Sequence, residues 1–370
     1  MQAPIGLLGV ATFLPPETRL NRWWSDATVE RWIAARAAAP PPPSGVPEAE
    51  RPRHMTDAMA RVLAAMSEQA FDPFHGVTSR HVMPADMVAS EMERQAAERV
   101  IAHVEGRGLG FARDRIDALL VHTAVPEYLL SNTACVLHEA LGLSTRCLSL
   151  EAAASSHSFM AQLTLAEQMI ASGRARYVLI VQSCALSRLL DPEDPLAPMF
   201  GDGAAATIVG PVDTGGLLAT VQHTRGKYPR ALVASVPARR WYDDGRVVLH
   251  SADPVGARQV FLQTADFAIE VVGQALREAQ LAPGDVDFFA VHQGTPWLRK
   301  VAHDVLGLGN ARSLDTFATT GYLFGVSIPL VLETAQRRGM LARGDRVVLY
   351  GGGSGVTFGA IALGWGDPIA

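Results

Sequence analysis

Residues 114–126 read DRIDALLVHTAVP, and residues 285–296 read DVDFFAVHQGTP. Each stretch has an acidic turn, a short apolar strand that ends in Val-His, and a loop that contains proline. A helical pattern precedes each of them, at 92–105 and at 264–280. Short apolar strands that alternate with helices are typical of buried sheets in α/β proteins. The internal repeat therefore predicts two similar halves.

The repeat continues downstream of both stretches. A helical pattern at 163–173 precedes the strand 177–181, and one at 330–338 precedes the strand 347–350. Each half thus has strand, helix and strand in the same order, which predicts largely parallel sheets. Two such βαβαβ halves, packed together, form a five-layer α-β-α-β-α sandwich.

The boundary between the halves is predicted in the Gly-, Pro- and Asp-rich stretch 210–216, which gives halves of 1–212 and 213–370. One segment does not fit the repeat. Residues 37–53 contain four consecutive prolines, which cannot continue a helix, and helical spacing returns after them. We interpret 37–73 as an inserted, partly mobile excursion and as a candidate cap over a site entrance.

Composition excludes several classes of function. The chain has 370 residues and a net charge of −5, which argues against nucleic acid or an anionic membrane as its main partner. It has no apolar run long enough for a membrane span. Its cysteines and histidines lack metal-site spacing, so we predict no metal. The three cysteines cannot all pair in disulfides, which fits a reducing, cytoplasmic setting.

Ser156 is the nucleophile candidate. It lies in LEAAASSHSF (150–159), where small residues follow a strand and precede a helix. A hydroxyl at a helix N-terminus lies in positive potential beside free backbone N–H groups. The same local pattern also fits serines that only cap the helix.

His292 is the candidate base, because it ends an apolar strand at the edge where α/β sheets form their crevices. His122 has the same position in the first half. For either residue, a buried histidine with a structural hydrogen bond is the alternative.

Three consecutive glycines follow the last-but-one strand, in YGGGSG (350–355), and allow close approach of backbone to a ligand. Gly352 and Gly353 are therefore candidate oxyanion donors. The stretch matches neither nucleotide-binding glycine motif, and glycine-rich hairpins without a function also occur.

Taken in order, these motifs resemble the ketoacyl-acyl-carrier-protein synthase III branch of the thiolase superfamily. The resemblance runs over nearly the whole chain. The stretches that carry it are Trp32-Ile-Ala-Ala-Arg36, Asn132-Thr-Ala-Cys-Val136, Glu151-Ala-Ala-Ala-Ser-Ser156, Phe200-Gly-Asp-Gly-Ala204, Val291-His-Gln293, Gly321-Tyr322 with Ser327-Ile-Pro329, and Gly351-Gly-Gly353 with Thr357-Phe-Gly359.

The resemblance implies a thiolase fold, a cytoplasmic homodimer and a pantetheine tunnel. It also implies an acyl-enzyme formed from acyl-CoA or acyl carrier protein, with no permanently bound cofactor. The family's catalytic Cys, His and Asn fall on Ser156, His292 and Tyr322. Serine needs a general base where a thiolate does not, and tyrosine is larger than asparagine.

These two changes favour an acyltransferase over a condensing enzyme. The expected acceptor is a small-molecule hydroxyl, an amine or a carrier, in a secondary-metabolite, polyketide or fatty-acid-type pathway. Two alternatives stay open: a decarboxylative condensing enzyme of the ketoacyl synthase III type, and a non-catalytic subunit that pairs with an active homologue.

The residues expected to bind the acyl donor match the family's pattern only in part. Trp32 and Arg36 match the family's adenine-binding tryptophan and arginine. Trp297 stands where the family has a second arginine, and the motif HQAN reads as His292-Gln-Gly-Thr295. The resemblance thus makes Trp32, Arg36, Thr295 and Trp297 the cofactor-binding candidates and leaves the choice between CoA and carrier protein open.

Overall fold

The computed structural model describes residues 3–38, 55–108 and 110–366. Its strands are β1 (Ile5–Phe13), β2 (Thr18–Leu20), β3 (Ser79–His81), β4 (Ala118–Thr123), β5 (Leu148–Glu151), β6 (Val178–Ala185), β7 (Asp202–Pro211), β8 (Gly216–Tyr228), β9 (Val233–Ser235), β10 (Val248–His250), β11 (Phe288–Val291), β12 (Arg312–Ser313), β13 (Arg346–Gly353) and β14 (Gly355–Gly364). Its helices are α1 (Asp26–Ala38), α2 (Asp57–Glu68), α3 (Ala89–Gly106), α4 (Thr133–Ala140), α5 (Ser158–Ala171), α6 (Pro254–Glu278), α7 (Leu298–Val305), α8 (Phe317–Thr320) and α9 (Ser327–Arg337).

Two five-stranded sheets confirm the internal repeat. Their strand orders are β1-β7-β6-β4-β5 and β8-β14-β13-β11-β12. The two orders correspond strand for strand, and each corresponding pair has the same direction. The expectation of largely parallel sheets holds for the adjacent strands β6, β4 and β5 and for their counterparts, whereas β7 and β14 run antiparallel to both of their neighbours. Each sheet is therefore mixed.

Three apolar cores separate five layers. Helices α3 and α4 cover the outer face of the first sheet, and α6 and α7 cover the outer face of the second. Between the sheets, Phe159 and Leu163 of α5 pack with Val331 and Leu332 of α9. The predicted α-β-α-β-α sandwich is thus confirmed. The chain passes from the first sheet to the second between Pro211 and the start of β8.

The predicted insertion is only partly covered by the described residues, since 39–54 lie outside them. The part that follows is ordered as α2, whose Val62 is fully buried in the core formed by α6 and α7. The Thr56 hydroxyl caps α2 by accepting from Met59 N at 3.0 Å, and it donates to Asp266 of α6 at 3.0 Å. This end of the insertion is therefore an integral part of the outer layer. Within the described ranges, no helix is long and apolar enough to cross a bilayer.

Candidate active site

Ser156 lies on a tight turn between β5 and α5. The turn is one 3-10 turn, Ser155–His157, and Ser155 has φ = +51°, in the left-handed region that non-glycine residues rarely adopt. Ser158 closes it, because its hydroxyl donates to the Ser155 carbonyl at 2.6 Å and accepts from Ala154 N at 2.9 Å. Such backbone geometry costs free energy and is concentrated at active sites. The turn holds Ser156 rigidly at the N-terminus of α5.

The hydroxyl of Ser156 lies close enough to that of Tyr322 to affect the pKa of the phenol. The Tyr322 ring lies among aromatic neighbours, with its centroid 5.8 Å from Phe200 and 5.2 Å from Phe324. Burial raises the pKa of Tyr322 well above its ordinary value, and the interaction with Ser156 opposes that effect. The side chain is therefore a neutral phenol at physiological pH.

Glycines bring Tyr322 to this position. Tyr322 N donates to the Met199 carbonyl at 2.6 Å, and Gly201 N donates to the Tyr322 carbonyl at 3.3 Å. A side chain at Gly201 would begin 2.1 Å from the Thr320 carbonyl oxygen, so no larger residue fits. Gly321 has φ = +67°, which glycine adopts without strain.

His292 follows β11, and its backbone N donates to the Tyr350 carbonyl at 3.0 Å. Its ring centroid lies 6.1 Å from that of Tyr322. Its buried Nδ1 has no hydrogen-bond partner among the described residues. The pKa of His292 is lowered to about 4, mainly by burial and to a smaller extent by electrostatic repulsion from His157. His292 is therefore neutral at pH 7 and can accept a proton.

His122, the counterpart of His292, lies on β4 in the first sheet. It is buried, and burial lowers its pKa to about 4. Neither ring nitrogen has a partner in the described part of the chain. The alternative of a histidine with a structural hydrogen bond is therefore not what the structure shows.

The glycine hairpin of β13 and β14 packs against the turn that carries Ser156. A side chain at Gly353 would lie 2.6 Å from the Ala154 carbonyl and 3.0 Å from His157 N. A side chain at Gly352 would lie 3.7 Å from Cε1 of His292. The absence of side chains thus allows the hairpin backbone to reach both halves of the site. The role of Gly352 and Gly353 as oxyanion donors stays a prediction.

His157 is a site residue that the sequence did not reveal. Its side chain is fully buried beside the glycine hairpin, and its Nε2 is hydrogen-bonded to Oε1 of Gln222 on β8. A single histidine between two serines at a helix start has no diagnostic spacing. Only the folded structure identifies it, because its partner Gln222 on β8 is 65 residues away in sequence.

Trp32 lies inside the fold, only 4% exposed. Its indole N–H donates to the Glu193 carbonyl at 2.9 Å. Its ring centroid lies 5.9 Å from that of Trp24 and 6.4 Å from that of Phe74. A nucleotide would reach this ring only after Trp24 or Phe74 moved.

The side chain of Arg36 binds the segment that leads from α2 to β3. Its guanidinium donates to the carbonyls of Ala70 and Asp72 and contacts the ring nitrogens of His75. Burial lowers the pKa of Arg36, opposed by the Asp72 carboxylate. In this structure Arg36 therefore stabilises a loop.

Trp297 and Thr295 are also buried. Trp297 packs in the outer core with Val62 of α2. The hydroxyl of Thr295 has no partner in the described ranges. Together with Trp32 and Arg36, they remain predictions as donor-binding residues, and the structure gives Trp32 and Trp297 packing roles.

Two family profiles match the chain. 3-Oxoacyl-[acyl-carrier-protein (ACP)] synthase III matches residues 150–226, and the C-terminal profile of the same family matches residues 276–365. The first match contains the Ser156 turn, and the second contains His292, Tyr322 and the glycine hairpin.

Solved structures match over nearly the full length. 3-Oxoacyl-(acyl carrier protein) synthase III, FabH, from Pseudomonas aeruginosa PAO1 has a TM-score of 0.76 and 23% identity, over 99% of this chain and 100% of that one. The enzyme of the same name from Aquifex aeolicus VF5 has a TM-score of 0.75 and 21% identity, over 98% and 100%.

A cysteine-to-serine variant of OleA from Xanthomonas campestris, with bound lauric acid and lauroyl-CoA, has a TM-score of 0.75 and 18% identity, over 99% and 100%. At these identities the structural likeness shows the shared fold. Together with the two profiles, it shows that the chain is similar to 3-oxoacyl-ACP synthase III and shares the thiolase fold.

Proposed function

We propose that this protein is an acyltransferase that moves an acyl group from a thioester, through an ester of Ser156, to a hydroxyl, an amine or a carrier. The observation that carries the proposal is the environment of Ser156. Its hydroxyl lies on a strained turn close to a neutral phenol, and a neutral histidine lies beside that phenol. This combination suits a serine nucleophile better than it suits a carbanion.

In the proposed reaction, Ser156 Oγ attacks the thioester carbonyl and its proton passes to His292. The carbon–sulfur bond then breaks, and the leaving thiolate takes that proton, so that His292 is neutral again. The acceptor attacks the Ser156 ester in the same way and restores the serine. Backbone N–H groups where Gly353 meets the turn would stabilise the oxyanion of both steps.

Tyr322 argues against decarboxylative condensation as the main reaction. An enolate formed from a malonyl thioester needs donors directed at its oxygen. The Tyr322 phenol has one proton to donate, and its hydroxyl lies farther from the backbone than the amide of the family's asparagine would.

For the donor, we favour a carrier-bound acyl group over free acyl-CoA. Trp32 is buried and Arg36 is bonded to a loop, so neither side chain is available to a CoA nucleotide without rearrangement. The lauroyl-CoA in the OleA variant supports the alternative that CoA itself is accepted.

We extend the proposal to a homodimer. The loop before α4 exposes three consecutive large apolar side chains, Tyr128, Leu129 and Leu130, by 67%, 63% and 107%. Contiguous exposed apolar residues mark association surfaces.

The function is tested by incubating the purified protein with acyl thioesters on CoA, pantetheine and carrier protein, with and without a hydroxyl or amine acceptor. We expect thiol release that depends on acceptor, an acyl adduct in the intact mass, and acyl-pantetheine turning over within about tenfold of acyl-CoA, since the nucleotide adds little binding energy. Carbon dioxide release from a malonyl thioester at a comparable rate would favour condensation. Absence of any adduct, with a homologue copurifying in equal amount, would favour the non-catalytic subunit.

The proposed base predicts an unusual pH profile. Because the pKa of His292 is lowered to about 4, the base stays neutral, and active, until the pH falls toward that value. We expect kcat/KM to change less than about twofold from pH 8 to pH 5.5. A histidine with an ordinary pKa of about 6.5 would lose about tenfold over the same range.

Circular dichroism at each pH is the control for this profile. In the unfolded chain His75, His122 and His292 bind protons below about pH 6.5, whereas in the folded state they do so only near 4, so the stability of the fold decreases between these values. A tenfold loss of activity at pH 5.5 with the fold intact would contradict His292 as a base of lowered pKa.

A further inference from the structure

His157 joins three elements that converge on Ser156. It belongs to the turn that carries Ser156, and its backbone N donates to the Ala154 carbonyl at 3.0 Å. Its Cβ lies 3.1 Å from where a side chain at Gly353 would begin, and its Nδ1 lies 3.6 Å from the same point at Gly351. His157 therefore lies between the turn and the glycine hairpin, in ordinary contact distance of Gly351 and so close to Gly353 that a side chain there would displace the turn.

Gln222 fixes the tautomer of this imidazole. The amide Nε2 of Gln222 donates to the Thr164 hydroxyl at 2.9 Å and to the Met160 carbonyl at 3.4 Å. Its Oε1 is therefore the atom that faces Nε2 of His157. An amide oxygen only accepts, so Nε2 of His157 must carry the proton.

The same bond defines what His157 can do. Burial, opposed by the interactions with Gln222 and with the Gly351 backbone, keeps the pKa of His157 below its ordinary value, so the ring is neutral. Its one N–H is used by Gln222, which itself is held by α5. The side chain thus links the turn and α5 of the first half to β8 and the hairpin of the second.

We infer that His157 is a positioning residue for acyl transfer: through its bond to Gln222, it fixes the turn that carries Ser156 against the hairpin that carries Gly353. This inference rests on the proposed function. It differs from the role proposed for His292, because the Nε2 proton of His157 is donated to Gln222 and is not available to the reacting groups.

Kinetic variants test the inference. His157→Phe keeps the ring but removes the donor, and we expect kcat to fall at least about tenfold per active site while KM changes less than about threefold. His157→Gln should recover most of kcat, because its side-chain amide can donate to Oε1 of Gln222. Gln222→Met should reproduce the loss, and the double change should cost no more than either single change.

His138→Phe is the matched control. It removes a half-buried imidazole that bonds the Ser144 carbonyl at 3.0 Å outside the site, and it should leave kcat unchanged. A purely structural role for His157 would lower the melting temperature and the fraction of active protein, without a change in kcat per active site. That outcome, or additive losses in the double variant, would overturn the inference.

A second measurement does not depend on activity. In nitrogen-15 histidine spectra, His157 should show a protonated Nε2 and an unprotonated Nδ1 at pH 7, and Gln222→Met should remove this signature. If the signature is present and no acyl donor is ever turned over, the proposed function fails while the tautomer and its cause stand. If Nε2 is unprotonated, the inference fails whatever the activity.

Discussion

Ser156→Ala is expected to abolish the acyl adduct and to lower turnover at least about 10³-fold. Removal of a serine nucleophile leaves only the rate that binding and oxyanion donors provide. The fold should be retained, because the change removes a single hydroxyl and alanine fits the same turn. Intact-mass spectrometry after incubation with an acyl thioester, followed by peptide mapping, measures the adduct directly.

Ser155→Ala is the matched control for this change. Both residues have a Cβ, so the left-handed backbone at φ = +51° is equally strained in the parent and in the variant. We expect the Ser155→Ala protein to form the adduct and to turn over within about threefold of the parent. An adduct that persists in Ser156→Ala, or one that disappears in Ser155→Ala instead, would place the nucleophile elsewhere.

The sequence alone was sufficient for the layered fold because that fold repeats. Two strands that end in Val-His, each preceded by a helical pattern, required two equivalent positions, and the sheets provide them at β4 and β11. The antiparallel direction of β7 and β14 was not predictable in this way. Periodicity reports burial of a strand, and a buried strand has the same pattern in parallel and in antiparallel pairing.

The site was predictable where it depends on local sequence. Ser156 at a strand–helix turn and His292 at a strand end could be found from their neighbours in the chain. The proximity of Ser156 to Tyr322, the link from His157 to Gln222, and the packing of Trp32 against Phe74 depend on segments that are far apart in sequence. Such contacts are determined by packing, which no local pattern encodes.

Gly201→Ala is expected to destabilise the protein by about 3 kcal/mol or more and to disrupt the site at the same time. The new methyl group would lie 2.1 Å from the Thr320 carbonyl, a backbone atom that cannot move without the chain around Tyr322. Overpacking of a close-packed interior typically costs 1–3 kcal/mol, and a rigid backbone obstacle falls at the upper end or beyond. Urea denaturation and the acylation rate are the two measurements.

The coupling of these two losses is the informative result. Phe200 and Tyr322 form an isolated parallel bridge between the halves, and Gly201 N donates to the Tyr322 carbonyl within it. A variant that relieves the clash by opening this bridge must move the Tyr322 phenol away from Ser156. Gly226→Ala is the control, since a side chain there meets no atom within 4 Å, and it should change stability by less than about 0.5 kcal/mol. If Gly201→Ala lost stability but acylated Ser156 at the parent rate, the position of Tyr322 would not matter for the first step. The phenol would then have to act, if at all, in the transfer from Ser156 to the acceptor.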